Sequence, residues 1–121
     1  MELNEPTLYD RIGGAKGIDK LLVGFYGKVL ADAVLKPFFK DVAMDKLLRM
    51  QRELFSAVLE GPHRYTGRDL RQVHAKMHIT DRQFHVFRQH LLTTLQEAGA
   101  AADDIRDVVR RVTAMKADIT G

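Results

Sequence analysis

Three side chains capable of donor or ligand chemistry sit where apolar residues are expected. Leu70, Val73, His74 and Met77 fall at i, i+3, i+4 and i+7 within Tyr65–Ile79, a spacing that puts them on one helix face. An imidazole in such a stripe either packs as a partly buried polar side chain or holds a metal in an apolar pocket. Tyr26 belongs to a stripe of Ile18, Leu21, Leu22, Phe25 and Val29. Gln51 belongs to one of Leu47, Leu54, Phe55 and Val58. A buried hydroxyl or amide without a partner costs about 1–3 kcal/mol. Tyr26 can turn to a backbone carbonyl or the surface, Tyr26 and Gln51 can satisfy each other, or both can face a polar ligand atom. His85 and His90 lie off the centre of their stripe and read as surface or rim residues.

The elements that must place these groups are helical. Thr7 with Asp10 makes a capping box for a short helix through Ile12, which Gly13-Gly14 ends. A second helix starts near Ala15 or Gly17 and runs until the pattern breaks around Asp32. Pro37 interrupts helix there. Phe38 and Phe39 cannot share a helix face, so one packs on the core and the other on a further apolar surface. The third helix spans Met44 to Leu59, with Gly61 as its stop and Pro62 beyond. A loop through Arg68 leads into the short His74 helix. Thr80 with Gln83 forms a second capping box, opening a helix from Asp81 to about Ala98 that Gly99 ends. Phe84, Phe87, Leu91 and Leu95 form its inward face. The last helix runs from about Ala102 to Ala117, with Asp103 and Asp104 in its first turn. No segment alternates as a strand. The reading is all-α, one domain over residues 1–121 with a loose lead at 1–6, its longer helices in two antiparallel pairs.

Bulk properties narrow the function classes. The chain has 121 residues, 45% hydrophobic and 29% charged, ordinary for a globular domain. With no Cys, disulfides and thiolate metal sites are excluded. The formal net charge of +3 comes from dispersed Lys and Arg. No nucleic-acid motif accompanies that charge, and helix-turn-helix spacing is not evident. No apolar run is long enough to span a membrane. The acidic, short N-terminus does not read as a signal peptide, so the expected location is cytoplasmic.

A core of this size can fill itself, or it can wrap a flat apolar cofactor between His74 on one side and Tyr26 with Gln51 on the other. Haem suits the second arrangement, because iron takes a neutral imidazole and donors opposite tune its ligands. The family resemblance lies in Leu-Tyr-Asp-Arg-Ile-Gly-Gly at 8–14, Phe-Tyr-Gly-Lys-Val-Leu at 25–30 and Pro-Phe-Phe at 37–39. It continues in Tyr-Thr-Gly-Arg at 65–68, Val-His-Ala-Lys at 73–76, Ile-Thr-Asp-Arg-Gln-Phe at 79–84 and His-Leu at 90–91. In order and spacing, from Thr7 to about Ile119, the chain resembles a group I truncated haemoglobin, a 2-over-2 globin.

That resemblance implies haem b (iron protoporphyrin IX), with His74 as the iron ligand. Tyr26 and Gln51 then form the distal donor pair, and Leu47 stands where other globins carry the distal histidine. Phe39 packs on the haem face, and Phe55 matches a residue associated with a gas tunnel. Met50, Tyr65, Arg68, Leu70, Val73, Met77, Ile79, Phe84 and Phe87 complete the expected cofactor contacts, with Tyr65 and Arg68 towards the propionates. Three positions depart from the family pattern. Glu60 replaces the first glycine of a usual pair, Met50 replaces a basic or histidine residue, and the bulk of Phe87 narrows a tunnel. The implied function is reversible binding of O2, CO and NO at ferrous iron, five-coordinate or water-bound at rest. Dioxygenation of NO to nitrate is the alternative, and it needs an external reductase because the chain has no flavin or nicotinamide motif. A non-haem alternative is a small basic helical module for protein or nucleic-acid binding.

Replacing His74 by Ala should abolish stable haem retention, whereas the same change at His85 or His90 should leave it near wild type. The haem absorbance that stays with the protein through gel filtration measures this directly.

Overall fold

The computed structural model describes residues 6–60, 78–116 and 120, and among these every regular element is helical. The Tyr65–Met77 part of the expected site lies outside the described residues.

Helix α1 (Leu8–Ile12) starts at the expected capping box. The Thr7 hydroxyl accepts from Asp10 N–H, and the Asp10 carboxylate accepts from Thr7 N–H. Gly13, at φ 111°, ends it in the left-handed region. Helix α2 (Gly14–Ala31) follows at once, earlier than the expected start at Ala15 or Gly17. The glycine pair turns the corner without a side-chain cap. A Cβ on Gly17 would lie 2.1 Å from the Ile12 carbonyl oxygen, so only glycine lets α2 lie against the end of α1.

A 3-10 turn (Lys36–Phe39) makes the corner before α3 (Met44–Val58). Both Phe38 and Phe39 are half-buried against the core there. Helix α3 stops before Gly61: Leu59 caps it, and Glu60 takes the left-handed backbone at φ 67°. Helix α4 (Asp81–Glu97) opens on the Thr80–Gln83 capping box, and Gly99 follows it at φ 77°. Helix α5 (Ala102–Thr113) opens at Ala102 as expected, and its expected end at Ala117 lies outside the described residues. Its last turn tightens, with Met115 N–H donating to Val112 O and the Thr113 hydroxyl to Val109 O.

The core sits around α2, which packs against α1, α3, the 3-10 turn and α4; α5 packs on α4 and α1. The four-residue link 98–101 returns α5 antiparallel to α4. Leu22, Val29, Leu35, Leu59 and Val108 are fully buried, each worth about 1.5–3 kcal/mol relative to exposure. Gly24 lies against α4, where a Cβ would meet Thr94 Cγ2 at 3.1 Å. His90 is more than a rim residue. Its Nε2 lies 2.7 Å from Asp32 Oδ2, tying α4 to the residue that ends α2. That hydrogen bond holds the Asp32 carboxyl below the usual carboxylate range, helped by Val34 N–H. No described helix is long and apolar enough to cross a membrane.

Gly17→Ala should destabilise the protein by about 2–3 kcal/mol, because the clash is with rigid backbone. Urea unfolding tests this through a lower midpoint at an unchanged slope.

Candidate functional site

Tyr26 is 7% exposed, the least accessible of the polar side chains singled out in the sequence and described here. Its place follows from the α2 stripe, which turns Phe25 and Tyr26 inward together. Four rings, its own included, close a loop. Phe25 and Tyr26 meet edge to face at 4.9 Å between centroids, and Tyr26 meets Phe39 at 5.8 Å. Phe39 meets Phe87 at 6.2 Å, and Phe87 returns to Phe25 at 6.3 Å. These separations suit aromatic pairs, each worth about 0.5–1.5 kcal/mol beyond area burial. The loop draws on α2, the 3-10 turn and α4, so three elements fix the direction of one phenol.

The Tyr26 hydroxyl makes no hydrogen bond among the described residues. Burial pushes its phenol well above the ordinary value of 10.0. It is therefore a neutral O–H donor throughout the range in which proteins are folded. Gln51, one of the alternative partners weighed for Tyr26 on sequence grounds, is half-buried on α3 and likewise donates to nothing described. The structure does not make them satisfy each other.

Leu47 shares the inner side of α3 with Gln51, half-buried and packed against the core. Phe55 is buried in the same cluster. Met50, by contrast, is 39% exposed. Ile79 and Phe84 are buried at the start of α4, and Phe87 is half-buried one turn on. Phe39 also walls an open groove of about 790 Å³ formed with Leu30, Ala33, Lys36, Pro37 and Lys40. His74, Tyr65, Arg68, Leu70, Val73 and Met77 lie outside the described residues. Among the described residues, no three His, Asp or Glu side chains gather as a metal site.

Phe25 is the site residue that sequence reasoning did not single out. Its stripe position marked it only as core, and nothing local announces that its ring completes the aromatic loop. The fit to a flat apolar cofactor rests on this geometry: an aromatic-lined interior and a buried O–H donor that the described protein leaves unpaired.

The bacterial-like globin family model matches residues 7–121. The group 1 truncated hemoglobin GlbN of Mycolicibacterium paratuberculosis is 35% identical over 93% of this chain and 83% of that protein. The group 1 truncated hemoglobin of Tetrahymena pyriformis is 30% identical over 98% of this chain and 99% of its own. The solved Fe(III) form of a truncated hemoglobin from T. pyriformis superimposes with a TM-score of 0.91 at 29% identity, covering 96% and 99% of the two chains. A 2/2 hemoglobin from a Synechococcus species, solved in the cyanomet state with covalently attached heme, gives 0.89 at 32% identity over 94% and 98%.

The raised phenol pKa sets a pH dependence. The folded state keeps its proton more tightly than the unfolded chain, so the associated stability is fully present below about pH 10. It is lost as pH rises further and the unfolded chain ionises. Ultraviolet titration should find one of the three tyrosines ionising only with unfolding, and Tyr26→Phe should remove that step.

Proposed function

This chain belongs to the bacterial-like globins, among the group 1 truncated haemoglobins, and on that footing we propose that it binds O2 reversibly on haem b held by His74. Haem-binding follows from the family; the gas and the residue roles are our assignment. The chain contains no Cys, so thioether attachment of the c type is out, which supports haem b.

The observation that carries the reading is the buried phenol of Tyr26, set among aromatic rings and without a hydrogen-bond partner among the described residues. Haem, when bound, supplies an iron that takes diatomic gases and shifts electron density onto them. Tyr26 donates its O–H to the ligand's outer atom, and the Gln51 amide donates beside it. Each such charge-assisted hydrogen bond is worth on the order of 1.5–3 kcal/mol. Phe25 and Phe39 hold the phenol ring and Phe87 packs against both of them, so little reorganisation is needed when the ligand arrives. Leu47 places hydrocarbon where another donor or an internal ligand would otherwise stand, and this supports an iron with an open sixth position at rest. Met50 and Phe55 flank Gln51 on α3, while Ile79, Phe84 and Phe87 supply apolar surface from the α4 side. His74 would hold the iron, and Leu70, Val73, Met77, Tyr65 and Arg68 are the further cofactor contacts that we assign to its segment, outside the described residues.

O2 accepts more charge than CO, so the donors should discriminate between them. Tyr26→Phe should raise the O2 dissociation rate by about tenfold or more while changing CO dissociation far less, and Gln51→Leu should act in the same direction. Stopped-flow displacement of O2 by CO reads both. Equal O2 dissociation in wild type and Tyr26→Phe would overturn the assignment.

A further inference from the structure

The segment 61–77 carries His74, and its two flanks share an unusual backbone. Among the described residues, the non-glycine residues with left-handed φ are Glu60 at 67° and His78 at 51°. One stands immediately before the segment and the other immediately after it. A residue with a Cβ disfavours this region, so the surroundings must hold it there.

Arg111 of α5 holds the first flank. Its Nη2 donates to Glu60 Oε1 at 2.5 Å, its Nη1 to the Val58 carbonyl at 2.9 Å, and its Nε to Asp107 Oδ1 at 3.1 Å. Val58 is the last residue of α3, where carbonyls lack helical partners. Between Val58 and Glu60, the Leu59 carbonyl accepts from Tyr9 N–H at 2.8 Å. Three consecutive residues at the exit of α3 are thereby pinned. The two carboxylates also raise the Arg111 pKa further, so the charge is permanent.

The same end of the chain holds the second flank. Buried Ile79 forms an isolated parallel bridge with Thr120. Thr120 bonds the Lys116 carbonyl through both its N–H, at 2.9 Å, and its hydroxyl, at 3.0 Å. Lys116 Nζ in turn lies 3.5 Å from Asp81 Oδ1. Both ends of the His74-bearing segment are thus moored to the stretch from Asp107 to Thr120.

We propose that Arg111 and Glu60 are positioning residues for His74: the C-terminal helix fixes the points between which the His74 segment is strung, and so sets how firmly the imidazole holds iron. This rests on His74 being the iron ligand. Neither residue touches the cofactor in this account; they act through the ends of the segment. Glu60 is then more than a poor substitute for glycine. Its carboxylate supplies an ion pair that glycine cannot, and that pair holds the backbone the side chain disfavours.

The test compares R111M, E60G and E60Q, with R106M as a control on an exposed position of the same helix. Two readouts are taken on haem-loaded protein: haem transfer to excess apomyoglobin, and the ferrous iron–imidazole stretching band in resonance Raman spectra. R111M should lose haem about tenfold faster than wild type and shift the band, whereas R106M should do neither. E60Q keeps a hydrogen bond to Arg111 and should stay close to wild type. E60G separates the explanations, because glycine suits the left-handed backbone better than Glu. The role of residue 60 as a hydrogen-bonding partner of Arg111 predicts faster haem loss for E60G; a purely conformational role predicts retention as firm as wild type. A lower Tm for R111M with the transfer rate and band of R106M would overturn the proposal. Should R111M not fold, haem loss from E60G equal to that from E60Q would overturn it instead. Wild-type protein that takes up no haem would fail at an earlier point, the haem reading itself, and would be recognised before any variant is compared.

Discussion

A buried phenol with no partner among the described residues is the constraint around which this molecule is arranged. Left unsatisfied, the Tyr26 hydroxyl costs about 1–3 kcal/mol. The same chain spends three elements on keeping that ring in place: α2 supplies Phe25, the 3-10 turn supplies Phe39 and α4 supplies Phe87. The hydrogen bond between His90 and Asp32 then ties α4 to the end of α2, just ahead of the Phe39 corner. A donor held so firmly in an apolar surround strengthens any polarised atom's interaction with it, because the local dielectric is low. An external acceptor would resolve that cost, and the bound gas proposed for this chain is such an acceptor.

Rigidity at the exit of α3 has a separate origin. Arg111 satisfies the α3 exit with a guanidinium that makes three hydrogen bonds. The planar fork matters, since one ammonium could not meet a carbonyl and two carboxylates in that geometry. Hydrocarbon packing orients the distal phenol, while charge pairing and a backbone bridge fix the flanks of the His74 segment.

Much of the fold was legible because its signals are local. Thr7 with Asp10 and Thr80 with Gln83 are capping boxes readable over four residues, and both formed as expected. The α2 stripe put Tyr26 inside for the same reason that it put Leu22 there. The family resemblance supplied the rest of the architecture, and the matches to truncated haemoglobins bear it out. What stayed hidden depends on partners far apart in the chain. Glu60 stood out only as a departure from glycine, and nothing local showed that Arg111, 51 residues further on, would hold it. Arg111 itself sits among Arg106, Arg110 and the acids of α5, where charge patterning reads as a solvated face. Phe25 looked like core, since ring closure through Phe87 needs the packing of α4 on α2.

An absorption spectrum of the purified protein loaded with hemin, then reduced, then exposed to CO, bears most directly on the central claim. An apolar pocket with one imidazole on iron and only a phenol and an amide opposite predicts equimolar haem uptake. It further predicts a five-coordinate ferrous spectrum that converts fully to a sharp CO form. A protein that stays colourless, or a reduced spectrum with two strong protein ligands on the iron, would contradict it.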